Sequence, residues 1–436
     1  MEPSSNRTRQ NGTIARPDER GRREPTDVGD LARVRRTPCD IFTRSATTFK
    51  YDLLRNMFQG ITETGFTTFV LLVAIRVFHA PESLKAILSG AEHLGMFLTF
   101  VSFGLFLRFS MSATRLSAVY FFLEAFLLFL TALSDTLMEF VVAILCAKVI
   151  YRQYTPLMTQ VYAENYSHKT RGKRLSVVLV ASAMVGIGFS KLGGYWLDLD
   201  LHNYTWIFFS MAAASMFCGW SLSRIPSSRV KNNATPKLLQ FSYLWKDPLF
   251  GKMVLAWTLL GFGNFMTLPM RIEYLANERY GLSLSNQTVV LITAILPMVA
   301  RIASMSIWGL LFDRVRFIPL RSLNNLFWIL GLFCFFNFTN LWLIGLGSIL
   351  IGIGMGGGFV IWNLWVTKIA PPDKAGAYMS VHTSISGLQG MLSPCVGYAI
   401  LSLPHMTPAV VGWVGILLSI ASLALFASHW KDTRIT

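Results

Sequence analysis

Several ionisable side chains lie inside long apolar stretches of this 436-residue chain, where a charge is costly. Counting about 1.5 Å of rise per residue from the start of each stretch places Glu92, Arg152 and Arg301 near the middle of a bilayer. Glu63 lies slightly nearer one surface. Glu63 could bind a proton or a cationic group, and Arg152 could bind an anionic one. The alternative is a buried ion pair between Glu63 and Arg152 that only joins two helices.

Two cations follow each other on one face of the fourth apolar stretch. Lys148 lies one helical turn before Arg152. The two charges therefore repel unless an anion, or the carboxylates of Glu63 and Glu92, lie between them. The sequence predicts a pocket with a positive bias that acidic groups partly neutralise.

The composition is that of a membrane protein. Hydrophobic residues make up 53% of the chain and charged residues 14%, well below the roughly 25% of an average soluble domain. The formal net charge is +16, but the basic residues lie in short loops and in the N-terminal region. They indicate membrane topology rather than nucleic-acid binding. The five cysteines are scattered singly, so we expect neither a disulfide framework nor a metal site.

Apolar stretches long enough to cross a roughly 30 Å hydrocarbon core, about 20 residues each, form two sets of six. They lie near 54–78, 84–108, 115–134, 138–164, 174–196, 204–223, 249–275, 287–311, 318–336, 340–368, 376–401 and 406–428. This pattern predicts an all-α membrane protein with twelve transmembrane helices in two six-helix bundles. The predicted organisation is a disordered basic tail (1–53), an N-terminal bundle (54–224), a linker (225–247), a C-terminal bundle (248–428) and a short tail (429–436). Residues 238–245 of the linker are amphipathic enough to lie along the membrane interface.

Lysines and arginines concentrate on one side of this predicted bundle. Beyond the N-terminal tail and the linker, they include Arg108, Arg115, Lys169, Arg174, Arg314, Arg321 and Lys374. The opposite loops carry mostly acidic residues. By the positive-inside rule, both termini are expected in the cytoplasm. The sequence thus predicts an integral multi-pass protein of the plasma (cell inner) membrane.

The two halves share a short sequence. Gly104-Leu-Phe-Leu-Arg108 recurs about 205 residues later as Gly309-Leu-Leu-Phe-Asp313, each time at the end of an apolar stretch. Gly172, Ser176, Ser190, Gly194 and Tyr195 have counterparts at nearly the same offset. A duplicated bundle with its working site between the halves is the expected meaning.

The segment from Gly309 to Arg316 resembles a signature of the major facilitator superfamily, Gly-x-Leu-x-Asp-Arg-x-Gly-Arg, which joins the second and third helices of a half. The match is imperfect because Arg316 stands where the signature has glycine. The N-terminal copy has Arg108 in place of the acid. The resemblance implies the twelve-helix fold of that family and transport of a solute by alternating access.

The resemblance also implies a gate. Asp313 would accept hydrogen bonds from the start of the eleventh helix, near Gly376, and so close the cytoplasmic side. Arg314 and Arg108 belong to the same gating segments. Because Arg108 replaces the acid, the mirror contact with the fifth helix cannot form in the same way.

In that family, the first, fourth, seventh and tenth helices line the cavity, with the second, fifth, eighth and eleventh beside them. The residues expected to bind substrate are Glu63, Arg152, Gln153, Asn264, Arg301, Trp362, Asn363 and Gln389. Those expected to carry the coupling proton are Glu63, Glu92 and, as a second choice, His382.

The function that follows is secondary active transport of a small anionic or zwitterionic metabolite, with proton-coupled uptake. No Walker signature is present, so we expect no ATP hydrolysis and no cofactor other than an ion gradient, H⁺. A sugar or drug transporter, a non-coupled solute sensor and a lipid-translocating protein remain alternatives. An enzyme is disfavoured because no nucleophile, base and orienting acid cluster in sequence. Besides the substrate and the lipid bilayer we expect no partner, no nucleic acid among them, and function as a monomer.

Overall fold

The computed structural model describes residues 38–106, 111–166, 168–227, 241–280, 282–370, 375–430 and 432. Within these ranges, side chains are described except at 38–42, 100–106, 160, 163, 168–173, 363, 364, 367 and 375–377. Arg108 and the surroundings of Asn363 and Gly376 therefore lie outside the described residues, as does part of the predicted interfacial segment. All contacts given below lie within residues 43–436, which form one compact unit.

Long helices make up the described chain, and no β-strand occurs in those ranges. In chain order they are α1 at 38–76, α2 at Glu82–Phe106, α3 at Ala113–Ala132, α4 at 137–165, α5 at His168–Leu199, α6 at Tyr204–Ser223, α7 at Pro248–Ala276, α8 at Asn286–Arg314, α9 at Phe317–Phe336, α10 at Leu341–Leu364, α11 at Ala375–Leu401 and α12 at Pro408–Ala427. Nine of the helices among the described residues are long and apolar enough to cross a membrane. The other three, α2, α4 and α11, have comparable lengths, which agrees with the predicted twelve spans.

Polar residues fix where several of these helices begin. The Thr136 hydroxyl accepts the N–H of Glu139, and the Glu139 carboxylate accepts the N–H of Thr136, which makes a capping box at the start of α4. Asp247 caps α7 by accepting the N–H of Phe250. These side chains satisfy N–H groups that a helix start leaves without partners.

Three of the helices contain an irregular turn. Gly65–Phe69 in α1 and Leu291–Ile295 in α8 form single π-helical turns, and Arg152–Tyr154 in α4 forms a 3₁₀ turn. The 3₁₀ turn directly precedes Thr155 and Pro156. Because proline has no N–H to donate, the regular α-helical ladder is interrupted at this point. The interruption falls on Arg152, the residue that the sequence placed in the binding pocket.

The first helix begins earlier than predicted. It starts at Pro38, inside the segment 1–53 that the sequence assigned to a disordered tail. Arg44 donates to the side chains of Asn165 and Glu164 on α4, and Asp52 is fully buried. Polar contacts rather than apolar area hold this part of α1 in place, which is why hydrophobicity missed it.

The two halves meet along two helix pairs, α2 with α11 and α5 with α8. At Gly90 on α2, a Cβ atom would lie 2.8 Å from the carbonyl oxygen of Met391 on α11. Only glycine permits so close an approach of the two backbones. We call the bundle end with the connections at 77–81, 133–136, 277–280, 282–285 and 402–407 the distal end. The opposite end, with the connections at 224–227 and 315–316, is the proximal end.

Candidate functional site

An ion pair between α4 and α2 occupies the centre of the N-terminal half. Arg152 Nη2 contacts Glu92 Oε1. Glu92 is buried, while the Arg152 side chain is 36% exposed. The predicted pair between Glu63 and Arg152 is therefore not formed, because Glu92 on the neighbouring helix takes the guanidinium. Arg152 remains open enough to contact a further ligand.

Glu63 presents a second carboxylate near this pair. It is exposed, whereas its neighbours Thr62 and Thr64 are buried against the bundle. Its charge lies within electrostatic range of Arg152, Tyr151 and Tyr154. A carboxylate without an ion-pair partner among the described residues thus stands near a partly exposed guanidinium.

Lys148 completes the charged group. It is buried, its Nζ donates to the carbonyl oxygen of Leu88 at 3.0 Å, and the charge of Glu92 acts on both Lys148 and Arg152. Glu92 therefore pairs with Arg152 and also acts electrostatically on Lys148. A cavity of about 40 Å³ adjoins the group, lined by polar Thr67, Ser89, Glu92, His93 and Lys148 and by apolar Phe66, Val70, Leu71, Leu88, Leu268, Pro269 and Ile272.

Gln153 has a different role from the one the sequence suggested, and a second glutamine, Gln59, supports the site. Gln153 is buried, and its amide donates to the carbonyl oxygens of Gly95 and Val149, so that it packs α4 against α2. Gln59 on α1 accepts a bond from Arg55 and donates to the hydroxyl of Tyr151 at 3.0 Å. A side chain of α1 thus holds Tyr151 on α4 by a hydrogen bond. The sequence did not reveal this contact.

The predicted residues of the C-terminal half are spread over four helices, α7, α8, α10 and α11. Asn264 and Arg301 are half-buried, and the Oδ1 atom of Asn264 has no partner among the described residues. The Arg301 guanidinium lies 5.3 Å from the ring centre of Phe359. Gln389 is buried directly against Gly261. None of these polar groups bonds to the Glu92–Arg152 pair within the described part of the chain.

His382, the second-choice proton carrier, is enclosed by tryptophan side chains of the C-terminal half. It is 1% exposed and lies among Trp257, Trp362 and Trp365, with ring centres 5.1 to 5.5 Å apart. Among the described residues, the charge of Arg321 acts on its ring. The carboxylates of Glu63 and Glu92 belong to a separate group of residues.

The predicted gating residues are only partly described. Asp313 and Arg314 are exposed and form no ion pair with other described residues. The backbone of Gly376 lies in α11, but its surroundings, like Arg108, fall outside the described residues. The contact of Asp313 with the start of α11 stays a prediction.

The sequence did not reveal a buried ion pair that joins the halves near the distal end. Lys85 Nζ on α2 lies 2.6 Å from Glu273 Oε1 on α7, and the two side chains are 4% and 0% exposed. The Tyr398 hydroxyl on α11 donates to the same Oε1 atom at 2.9 Å, and Asn277 Nδ2 donates to Oε2 at 2.7 Å. We call Lys85, Glu273, Tyr398 and Asn277 the distal lock. The feature of the sequence that could have indicated the lock is an acidic residue in α7 and a basic residue in α2 at similar depths.

More contacts between the halves surround the distal lock. Arg279 binds Glu82 at 3.0 Å. Asp198 at the end of α5 accepts the N–H groups of Asn286 and Gln287 at the start of α8, where the helix dipole favours a negative charge. The hydrogen bonds and ion pairs between described residues of the two halves all lie at this end. The distal side is therefore closed by polar contacts between the two halves.

Twelve helices in two halves, with charged groups at the centre and polar contacts closing one end, define a multi-pass membrane transporter. A family model confirms this class. The model described as "Major Facilitator Superfamily" matches residues 56–394. The chain therefore belongs to the Major Facilitator Superfamily.

Solved structures of other transporters share the fold. The nucleoside transporter NupG superposes with a TM-score of 0.70 at 14% identity, over 89% of this chain and 100% of that one. The xylose transporter XylE from E. coli, in a partially occluded inward-open conformation, gives 0.65 at 15% identity, over 90% and 98%. The peptide transporter POT in complex with sulfate gives 0.68 at 11% identity, over 89% and 97%. No curated protein matches the chain.

Proposed function

We propose that this transporter carries a small anionic or zwitterionic metabolite into the cell together with a proton. The observation that supports it is the Glu92–Arg152 pair, whose guanidinium is partly exposed near the exposed carboxylate of Glu63. A guanidinium presents a planar fork of donors that matches a carboxylate. Glu63 would bind the ammonium group of a zwitterion. An anion without an amine would use Arg152 alone.

The distal contacts support alternating access. With the distal side closed, a substrate would reach the centre from the proximal side. The positive-inside distribution of lysine and arginine assigns that side to the cytoplasm, so the conformation would face inward in the plasma (cell inner) membrane. Opening to the outside requires the distal lock to break, and the Asp313 contact would then close the cytoplasmic side.

Proton coupling would act through the same charged group. Protonation of Glu92 would free Arg152 to bind the substrate carboxylate, while protonation of Glu63 would weaken its hold on an amine. Each carboxylate interacts electrostatically with Arg152. Protonation of either one would change that interaction and so link proton binding to substrate binding. We place the coupling proton on one of these two groups.

A thermal-shift screen of metabolites against the purified protein tests the substrate class, since a ligand that binds the folded state raises its apparent stability. Amino acids and small carboxylic acids should give the hits. Arg152→Ala should abolish the shift, and Arg152→Lys, which keeps the charge but loses the fork, should weaken binding about 10-fold, which is roughly 1.4 kcal/mol. Lys191→Ala, at an exposed cation on α5, is the matched control and should leave binding unchanged. Binding that survives Arg152→Ala in a folded protein would move the anion site elsewhere.

Proteoliposomes loaded with the metabolite identified in the screen then test whether transport is coupled to protons. Wild-type uptake should follow an imposed pH gradient. Glu63→Gln or Glu92→Gln should convert it to gradient-independent exchange. Proton-driven uptake by both variants at wild-type rates would refute the coupling proposal without affecting the substrate assignment.

A sugar is the second candidate substrate. The unpartnered Oδ1 atom of Asn264 and the half-buried indole of Trp362 are suited to hydroxyl groups and to the apolar face of a sugar ring. The same screen separates the two classes: sugar hits abolished by Asn264→Ala but not by Arg152→Ala would favour this alternative.

A further inference from the structure

A buried cation in the C-terminal half plays no part in the proposed transport site. Arg321, in the second turn of α9, is 0% exposed, although the sequence counted it among the loop cations. Its Nη1 donates to Asn324 Oδ1 at 2.9 Å, while Nε and Nη2 have no acceptor among the described residues. Arg321 is therefore an interior charge, and the topology interpretation was wrong for it.

Aromatic donors surround this guanidinium. Its Cζ lies 3.9 Å from the ring centre of Trp257, which is 5.5 Å from the ring of His382. The indole N–H groups of Trp257 and Trp365 and both ring nitrogens of His382 also lack partners among the described residues. Trp308 nearby donates normally, to the carbonyl oxygen of Ile353 at 3.0 Å. We call Arg321, His382, Trp257 and Trp365 the Arg321 cluster.

The energetics of the cluster require a counter-charge. Arginine stays protonated in proteins, and a buried ion without a partner costs several kcal/mol. A desolvated cation–π contact returns about 2 kcal/mol, and each buried donor left unbonded adds roughly 1 to 3 kcal/mol. No described carboxylate forms an ion pair with Arg321. An anion bound to these donors would remove both the cost of the unpaired charge and the cost of the unbonded donors.

We propose that the Arg321 cluster binds a small monovalent inorganic anion of the size of chloride. One bound negative charge balances the single formal charge of the cluster. The N–H groups of arginine and tryptophan are the donors it needs, and the surrounding rings strengthen the attraction by excluding water. Arg321 lies four residues after Phe317, where α9 begins, or about 6 Å along the helix. This depth lets the anion exchange with the proximal aqueous side.

Thermal unfolding without substrate tests the site. At constant ionic strength, replacing sodium gluconate by sodium chloride should raise the unfolding temperature along a saturating curve. Arg321→Met removes the charge at similar volume and should abolish the dependence. Arg316→Gln is the control, because Arg316 is an exposed cation at the start of the same helix, and it should behave as the wild type.

Iodide quenching provides a second readout that needs no unfolding. Tryptophans in the cluster should give a saturable quenching component, which Arg321→Met should remove. Trp342→Phe should leave it intact, since Trp342 is 88% exposed and lies outside the cluster. Trp365→Phe removes one donor and keeps the ring, so the iodide affinity should fall about 5-fold, the equivalent of roughly 1 kcal/mol.

Three results would overturn the proposal. One is an unfolding temperature equal in chloride and gluconate for the wild type, together with linear quenching by iodide. Another is a saturable iodide component that persists unchanged in Arg321→Met. A chloride effect lost equally in Arg316→Gln would assign it to surface charge and would also reject the site.

Discussion

Neutralising Glu273 should open the distal side of the transporter. In Glu273→Gln, the amide still accepts a hydrogen bond from Tyr398, but Lys85 loses its counter-charge while 4% exposed. Removing one partner of a buried ion pair costs about 3 to 5 kcal/mol. That penalty falls on the closed state alone, because opening lets Lys85 reach water. At 3 kcal/mol, the equilibrium constant for opening rises on the order of 100-fold.

Cysteine labelling measures this shift. Ser89 lines the central cavity on the same helix as Lys85, so Ser89→Cys in a chain without other cysteines reports access from the distal side. A membrane-impermeant thiol reagent added on that side should react roughly 100-fold faster in Glu273→Gln, provided that opening and closing are fast compared with labelling.

Two controls separate the ion pair from a general loosening of the structure. Glu82→Gln breaks the outer pair with Arg279, whose side chain is 64% exposed. Exposed pairs contribute about 0 to 1 kcal/mol, so labelling should change less than about 5-fold. Lys85→Met combined with Glu273→Gln leaves no unpaired charge and should return the rate toward that of the wild type. Labelling of Glu273→Gln at the wild-type rate, or an equal increase in Glu82→Gln, would refute the reasoning.

Three further changes test other contacts of the fold. Asp198→Asn weakens the contact with the start of α8 and should raise distal labelling about 2- to 5-fold, the equivalent of 0.3 to 1 kcal/mol. Gly90→Leu places a side chain against the Met391 carbonyl group, so it should lower the thermal unfolding temperature and slow transport, whereas Gly188→Leu, where a Cβ atom meets nothing within 4 Å, should do neither. Arg44→Ala should lower the free energy of unfolding, measured with denaturant, by about 1 to 2 kcal/mol, because α1 extends into the predicted tail. An unchanged free energy of unfolding would instead support a disordered tail.

The spans could be predicted from the sequence because bilayer thickness sets their length and apolar content. The start of α1 could not, since Arg44 and Asp52 are polar. Arg44 bonds to Asn165 on α4, and buried Asp52 pairs with Arg55 on its own helix and accepts a hydrogen bond from Tyr162 on α4. Hydrophobicity measures the preference of a residue for lipid. It contains no information on which polar groups of two helices will form hydrogen bonds or ion pairs with each other.

The charged centre was predicted in part. Lys148, Arg152 and Glu92 could be identified because charges at mid-bilayer are costly, but the pairing of Arg152 with Glu92 rather than Glu63 depends on helix rotation, which apolar helices encode poorly. Arg321 was treated as a topology signal because it lies near a helix end. It is buried, as is Lys85 near the start of α2. A position near a helix end does not by itself distinguish a solvated cation from one enclosed by neighbouring helices.

The distal lock and the central pair share a helix. Lys85 and Glu92 are seven residues apart on α2, nearly two full turns, so they face almost the same direction about 10 Å apart. A rotation of α2 that breaks Lys85 from Glu273 must also displace Glu92 from Arg152. Thermodynamic linkage then applies. A ligand that shifts the equilibrium toward the closed distal state by a given factor binds that state more tightly than the open state by the same factor. Variants of the lock should therefore change substrate affinity without touching the substrate.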